Sequence, residues 1–212
     1  MRPFVTLAGV MAAMPFSNVN TDAIIPSAWL RSANADLGKG LFAAWRYDEA
    51  GGERPDFVLN RPPFRGARIL LADDNFGCGS SREAAVWALA EFGIRCVLAP
   101  SFADLFYENA LRNGLLPGLI DRPTFAALMS TVEAFAENPA FVVDLAARTL
   151  TGPDGRIHPF RVPAARAQAL MRGDDEIAAT LRHADAIEAY EAAARVRYGW
   201  LHRLPATPPG QS

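Results

Sequence analysis

Short apolar runs alternate with segments of helical periodicity through the middle of the chain. The runs Ala67–Ala72, Ile94–Leu98 and Leu115–Ile120 have the length and apolar content of buried strands. Between them, residues 81–92 and 101–112 carry apolar side chains every three or four positions, a spacing that predicts helices. The pattern therefore predicts an α/β fold with a βαβαβ core, a parallel sheet and right-handed crossovers.

The second half of the chain predicts three further helices and a hairpin. The helices are expected over Thr124–Glu137, Arg166–Arg172 and Asp185–Tyr198. Two apolar runs, Phe141–Leu145 and Arg156–Val162, flank the turn sequence Thr-Gly-Pro-Asp-Gly at 151–155, so we expect them to pair. No internal repeat is visible. We expect one domain over residues 1–200 and a disordered tail over 201–212, which is rich in proline near its end.

Residues 75–83, Asn-Phe-Gly-Cys-Gly-Ser-Ser-Arg-Glu, lie where the first strand of the predicted core gives way to its first helix. Glycines let the backbone turn sharply and approach a ligand, and a helix N-terminus offers unpaired amides with partial positive charge. Arg82 adds a planar fork of donors that matches a carboxylate. Because ligands of such sheets bind beyond the carboxyl ends of strands, the segment predicts an anion site.

The same residues have a second interpretation that needs no ligand. Ser80-Ser81-Arg82-Glu83 fits a capping box, in which Ser80 would accept from the amide of residue 83 and Glu83 from the amide of Ser80. Nucleotide motifs fit less well, because no lysine follows the last glycine and the dinucleotide fingerprint lacks its third glycine. The residues alone leave an anion site and a plain helix start as alternatives.

Composition narrows the class of protein. Half of the 212 residues are apolar, which is enough for one sizeable core. The formal charge of −2 comes from acids and bases mixed along the chain, so no basic stripe for nucleic acid is present. No apolar run reaches the length of a membrane span, and the first residues lack a signal-peptide core, so we expect a cytoplasmic protein.

Several ordered segments resemble one known family. Residues 75–83 are similar to the signature of the small subunits of 3-isopropylmalate dehydratase, an isomerase of leucine biosynthesis related to the swivelling domain of aconitase. Residues 17–26, Ser-Asn-Val-Asn-Thr-Asp-Ala-Ile-Ile-Pro, resemble the N-terminal motif of that family. Three more segments agree in the same order, at 55–60, 99–107 and 113–117. The resemblance runs from about Phe4 to Tyr190.

The resemblance implies a fold, a reaction and a set of site residues. The fold would be a swivelling three-layer β/β/α domain, like the fourth domain of aconitase. The reaction would interconvert 2-isopropylmalate and 3-isopropylmalate by dehydration and rehydration. Ser80 would be the catalytic base, ionised as an alkoxide, and Ser81, Arg82, Asp22 and Gly79 would bind the substrate.

The resemblance also implies a partner, because aconitase-type enzymes use a four-iron iron–sulfur cluster. Such a cluster needs at least three thiolate ligands, and the chain has only Cys78 and Cys96. We therefore expect the 4Fe-4S cluster to lie on a separate large subunit, in a heterodimer or larger assembly, with no metal site in this chain. Cys96 falls in a predicted strand and is expected to be a packed core thiol.

The chain departs from the family pattern at three positions. Asn20 stands where aspartate is usual, and Ala84 and Val86 replace the histidine and proline that usually follow the Arg-Glu pair. These departures leave other functions open. One is a related hydro-lyase acting on another malate, such as citramalate or dimethylmalate. The other is a non-catalytic partner that stabilises or regulates a large subunit.

Residues 31–54 form a long glycine-containing connection, which is usually functional or mobile. In the family this region contributes to recognising the substituent on the substrate. The alternative is an ordered surface loop held by Phe42 and Trp45.

Overall fold

The computed structural model describes residues 1–31, 34–174 and 176–202. The strands are β1 (Thr6–Met14), β2 (Ala67–Ala72), β3 (Cys96–Ala99), β4 (Leu116–Leu119), β5 (Ala140–Asp144), β6 (Thr149–Thr151) and β7 (Ile157–Pro159). The helices are α1 (Thr21–Ile24), α2 (Leu37–Gly40), α3 (Ala43–Arg46), α4 (Glu83–Phe92), α5 (Asp104–Arg112), α6 (Arg122–Ala134), α7 (Ala164–Arg172), α8 (Glu176–Leu181) and α9 (Ala184–Arg197).

The seven strands form one mixed sheet in the order β4-β3-β2-β1-β5-β6-β7. Strands β1 to β4 run parallel, whereas β5, β6 and β7 join the other side of β1 as antiparallel neighbours. The predicted βαβαβ unit is confirmed as β2-α4-β3-α5-β4. Nearly every residue of β2 and all of β3 are buried, as expected for parallel strands covered on both faces.

The central strand β1 was not predicted from the sequence. Its residues, Thr-Leu-Ala-Gly-Val-Met-Ala-Ala-Met, include few β-branched side chains and show no clean alternation. Its place depends on long-range pairing instead, because β2 binds one side, with Met11 opposite Ile69, and β5 binds the other. Tertiary contacts therefore decide the conformation of a segment whose local preference is weak.

The predicted pairing of Phe141–Leu145 with Arg156–Val162 is wrong. A short strand, β6, lies between them and pairs with both β5 and β7. Leu150 of β6 is buried, which explains why this three-residue segment joins the sheet. The turn at 152–155 does form, with the Gly152 amide donating to the Arg156 carbonyl at 2.9 Å, but it connects β6 to β7.

The chain divides into two compact units. Residues 1–175 contain the whole sheet, and residues 176–212 contain α8 and α9. The single domain expected over residues 1–200 stays a prediction. Most of the predicted tail, residues 203–212, lies outside the described residues. In the part of the chain that the structure describes, no helix is both long and apolar enough to cross a membrane.

Candidate active site

The glycine-rich loop, residues 75–82, follows the carboxyl end of β2 and is hydrogen-bonded to the segment that follows β1. The Gly77 amide donates to the Val19 carbonyl at 2.8 Å, and the Thr21 amide donates to the Cys78 carbonyl at 2.8 Å. Strands β1 and β2 are parallel neighbours, so their carboxyl ends meet at one edge of the sheet. The structure therefore brings the two motifs of the sequence, around residues 20 and 80, into direct contact.

The backbone and the packing at position 77 of the loop both require glycine. Its φ is +78°, a left-handed conformation, and a Cβ atom there would lie 2.2 Å from Cγ of Phe106. Phe106 is 3% exposed and packs edge-on against Phe76, with 5.2 Å between ring centroids. The loop thus lies directly on the aromatic core.

The capping-box interpretation of residues 80–83 is wrong. Helix α4 begins at Glu83 with Arg82 as its N-cap residue, and no side chain caps it. The Glu83 carboxylate instead accepts a hydrogen bond from Asn113 Nδ2 at 3.3 Å. The helix predicted from Ser81 therefore starts two residues later, and the two serines remain in the loop with exposed positions.

The partner of Ser80 is Thr21, a residue that the sequence did not single out. The Thr21 hydroxyl donates to the Ser80 carbonyl at 3.2 Å, and its Oγ1 lies 3.3 Å from Ser80 Oγ. Thr21 is only 2% exposed, whereas Ser80 is open to solvent. A buried hydroxyl thus holds an exposed one, and the only sequence signal was that Thr21 precedes Asp22 in the N-terminal motif.

Asp22 and Arg82 form an ion pair across the two motifs. The pair uses Nη1 of Arg82, and Nε and Nη2 have no acceptor among the described residues. The Arg82 side chain is 29% exposed, so its free edge can meet a ligand. The guanidinium is therefore held in place on one side and open on the other.

Three backbone amides of the same loop are also without a partner within the described ranges. In the described part of the chain, the amides of Gly79, Ser80 and Ser81 donate to no acceptor. Gly79 has φ +93°, and a Cβ there would meet Asn20 at an ordinary 3.5 Å, so the backbone conformation and not space favours glycine. The predicted residues Asp22, Gly79, Ser80, Ser81 and Arg82 thus form one cluster that can accept an anion.

The long connection that follows α1, described over residues 34–54, is organised around a buried arginine. Arg46 is 6% exposed and donates to the carbonyls of Gly38 and Leu41 at 3.2 and 3.3 Å and to Asn60 Oδ1 at 3.2 Å. Burial is the main influence on its pKa, which lies below the usual range. Because these acceptors come from several turns, Arg46 fixes the shape of the connection, a role that its position in the sequence did not reveal.

The predicted contact between Phe42 and Trp45 is present, with stacked rings whose centroids are 5.7 Å apart. Trp45 also lines a cavity of about 450 Å³. The other walls of this cavity include Phe16, Asn18, Asn20, Ala23 and Phe57. Asn20 is paired with Cys78 of the glycine-rich loop, so the cavity opens beside the cluster.

Two of the three departures, Asn20 and Val86, have a structural explanation, and Ala84 has none. Asn20 Oδ1 accepts from the Ala23 amide at 2.8 Å and caps α1, a role that aspartate would fill equally well. Val86 is fully buried in α4. Ala84 packs half-buried against the core, where a histidine would add a polar ring.

The cysteines do not fit the ligand set of an iron–sulfur cluster. Cys96 is completely buried in β3, and burial raises the pKa of its thiol far above the usual range, as expected for a core residue. Cys78 is half-buried in the loop and its thiol donates to the Asn18 carbonyl at 3.4 Å. Within the described residues no group of three or more His, Cys, Asp or Glu side chains could hold a metal ion.

Known proteins resemble this chain over most of its length. Residues 1–122 match the aconitase C-terminal domain, and residues 176–203 match the C-terminal domain of the 3-isopropylmalate dehydratase small subunit. The 3-isopropylmalate dehydratase small subunit of Rhodospirillum centenum is 48% identical over 201 residues, which are 94% of this chain and 98% of that protein. The chain belongs to the family of 3-isopropylmalate dehydratase small subunits.

Other relatives agree with this family. The small subunit of Jannaschia sp. is 49% identical over 202 residues, which are 95% of this chain and all of that protein. The crystal structure of a 3-isopropylmalate dehydratase from Methanocaldococcus jannaschii aligns with a TM-score of 0.62 and 24% identity, covering 88% of this chain and 99% of the other. The predicted α/β fold of the aconitase swivel-domain type is therefore confirmed.

Proposed function

We propose that this chain is the small subunit of a 3-isopropylmalate dehydratase, which interconverts 2-isopropylmalate and 3-isopropylmalate in leucine biosynthesis. One observation carries the proposal: the loop at 77–82 and the segment at 19–22, joined by backbone hydrogen bonds, place Ser80, Arg82 and Asp22 at one sheet edge. The relatives with this name match the chain almost end to end, so both motifs lie within the shared region.

Ser80 acts as the base that removes a proton from the carbon next to a substrate carboxylate. A serine hydroxyl is a poor base unless its anion is stabilised. Three features supply that stabilisation: the Thr21 hydroxyl at 3.3 Å, the unpaired amides of the loop, and the partial positive charge at the start of α4. Thr21 can turn its proton from the Ser80 carbonyl to Ser80 Oγ when that oxygen becomes negative.

Arg82 and Ser81 hold a substrate carboxylate, with the amide of Gly79 as a further donor. The free edge of the Arg82 guanidinium offers two parallel N–H groups, the geometry that a carboxylate accepts. Asp22 keeps Arg82 in this orientation from the opposite side. The residues that bind the substrate carboxylate and the residue that removes the proton therefore lie next to one another on one loop.

The partner in this proposal is a large subunit that carries the iron–sulfur cluster. With Cys96 buried and Cys78 the one other cysteine, this chain lacks the three thiolates that such a cluster needs. The purified chain should therefore show no iron–sulfur absorbance and no dehydratase activity before it is mixed with a large subunit. Stoichiometric iron in the isolated chain would contradict this division of roles.

Reconstitution with a cluster-bearing large subunit tests the substrate. The mixture should interconvert the two isopropylmalates, and in competition it should prefer isopropylmalate over citramalate. Because one or two methylenes in an apolar pocket change discrimination by only about 1–3 kcal/mol each, the preference is expected to be graded. A higher kcat/KM for citramalate would show that citramalate is the preferred substrate, and the assignment to the hydro-lyase class would remain. Full turnover by the large subunit alone would make this chain a non-catalytic partner.

A further inference from the structure

A polar network lies behind the glycine-rich loop, at the end of β2. Arg122, the first residue of α6, forms ion pairs with both Asp73 and Asp74, the two residues that follow β2. Asp73 also accepts a hydrogen bond from the Ser17 hydroxyl at 3.0 Å, and Asp74 accepts one from the Ser101 hydroxyl at 3.1 Å. One guanidinium thus joins two adjacent carboxylates that would otherwise repel each other.

The network continues into the first residue of the loop. Ser101 Oγ accepts from the Asn75 amide at 2.8 Å, and Asn75 Nδ2 donates to Asn18 Oδ1 at 2.9 Å. The Asn18 amide in turn donates to the Asp74 carbonyl at 2.8 Å. Asn75 has φ +54°, a left-handed conformation that asparagine adopts more readily than most residues other than glycine.

We propose that Arg122 is a positioning residue for Ser80, because it fixes the two carboxylates from which the loop departs. This inference rests on the proposed function of Ser80. Four residues lie between Asn75 and Ser80, and two of them, Gly77 and Cys78, are already bound to the strand-end segment at 19–21. Once the start of the loop is also fixed, little freedom remains in the path that leads to Ser80.

The charge state of the network agrees with this role. Burial alone would raise the pKa of Asp73, but hydrogen bonds from the Asp74 amide, the Ser17 hydroxyl and Arg122 outweigh it. The pKa of Asp73 therefore lies below its usual range, and the carboxylate stays charged for Arg122 to bind.

The effect of Arg122 should be local. Its side chain is 52% exposed, and ion pairs at such positions add little to global stability. Arg65 is a matched control, since it is also 52% exposed and pairs with Glu53, but it precedes β2 at the opposite end of the strand. Arg122→Gln and Arg65→Gln thus remove similar ion pairs from the two ends of β2.

The experiment compares Arg122→Gln and Arg65→Gln by two measurements. In the isolated full chain, hydrogen exchange is followed at the amides of Asn75, Phe76 and Gly77, each of which donates a hydrogen bond. In the reconstituted enzyme, kcat and KM are measured. We expect Arg122→Gln to speed this exchange by about tenfold and to lower kcat by about tenfold, with KM changed less than about twofold. Arg65→Gln should change none of these.

A conservative variant supplies the rescue. Arg122→Lys keeps a positive charge between Asp73 and Asp74 and should recover much of the kcat that Arg122→Gln loses. The proposal is overturned if Arg122→Gln leaves exchange and kcat at wild-type values, or if KM rises while kcat holds. Ser80→Ala is measured alongside: full turnover there would refute the proposed base, whereas loop exchange still decides whether Arg122 fixes the loop.

Discussion

Substitution of Gly77 by alanine should disrupt the junction between the loop and the aromatic core. The new Cβ would lie 2.2 Å from Cγ of Phe106 and 2.5 Å from its Cβ and Cδ2, whereas carbon atoms in contact are separated by about 3.5–4.0 Å. Phe106 cannot move away easily, because its ring stacks on Phe102 and meets Phe76 edge-on. The backbone is also left-handed at this position, with φ +78°.

The expected magnitude combines these two costs. Overpacking a core costs about 1–3 kcal/mol, and a left-handed conformation costs an alanine about 1–2 kcal/mol. Gly77→Ala should therefore lower the free energy of unfolding by about 2–5 kcal/mol. For a chain of this length that corresponds to a decrease in Tm of about 10 °C.

Two other glycines separate the contributions. Gly93 has φ +115° with nothing within 4 Å of an added Cβ, and Gly79 has φ +93° with an ordinary contact to Asn20. Gly93→Ala and Gly79→Ala should each cost only the backbone term, about 1–2 kcal/mol. Thermal and urea unfolding of the three variants test the reasoning. Equal losses for all three would show that the contact with Phe106 has no energetic effect.

Three further predictions concern the site and its support. Thr21→Val removes the hydroxyl beside Ser80 and should lower kcat about tenfold at nearly unchanged stability. Thr21→Ser keeps the hydroxyl and should retain turnover. A loss of folding in Thr21→Val would point to a structural role instead. Arg82→Lys should raise KM about tenfold with a smaller change in kcat, since a fork becomes a point charge, and a fall in kcat alone would argue against carboxylate binding. Because the pKa of Asp73 is lowered in the folded state, its contribution to stability is present above the unfolded pKa of about 3.9 and is lost as pH falls through the folded pKa. Urea unfolding of Asp73→Asn should lack this acid-dependent loss, and identical pH profiles for variant and wild type would refute it.

The parallel core could be predicted from the sequence because its signals are local. Strands β2, β3 and β4 are continuous apolar runs buried on both faces, and the intervening helices have clear periodicity. Strand β1 has no such signal, since its alanines, glycine and methionines favour a strand only when neighbours pair on both sides.

The same division holds for the site. The glycines and Arg82 predict an anion site through their local chemistry. The structure places Arg82 in an ion pair with Asp22, which belongs to the other motif. The sequence could not exclude the capping box, because Ser80 is held by Thr21, which lies 59 positions away and binds its carbonyl and hydroxyl. Arg122 was missed for the same reason: its partners come from the end of a distant strand.

Turnover of Ser80→Ala tests the central claim most directly, with Ser81→Ala as the matched control from the same loop. Both serines are exposed, so neither variant should lose the fold, and near-wild-type unfolding curves would verify this. Reconstituted with the large subunit, Ser80→Ala should lose kcat by on the order of 10³-fold, as expected when a proton-transfer group is removed, whereas Ser81→Ala should mainly raise KM. Near-normal kcat in Ser80→Ala would contradict the assignment of Ser80 as the base.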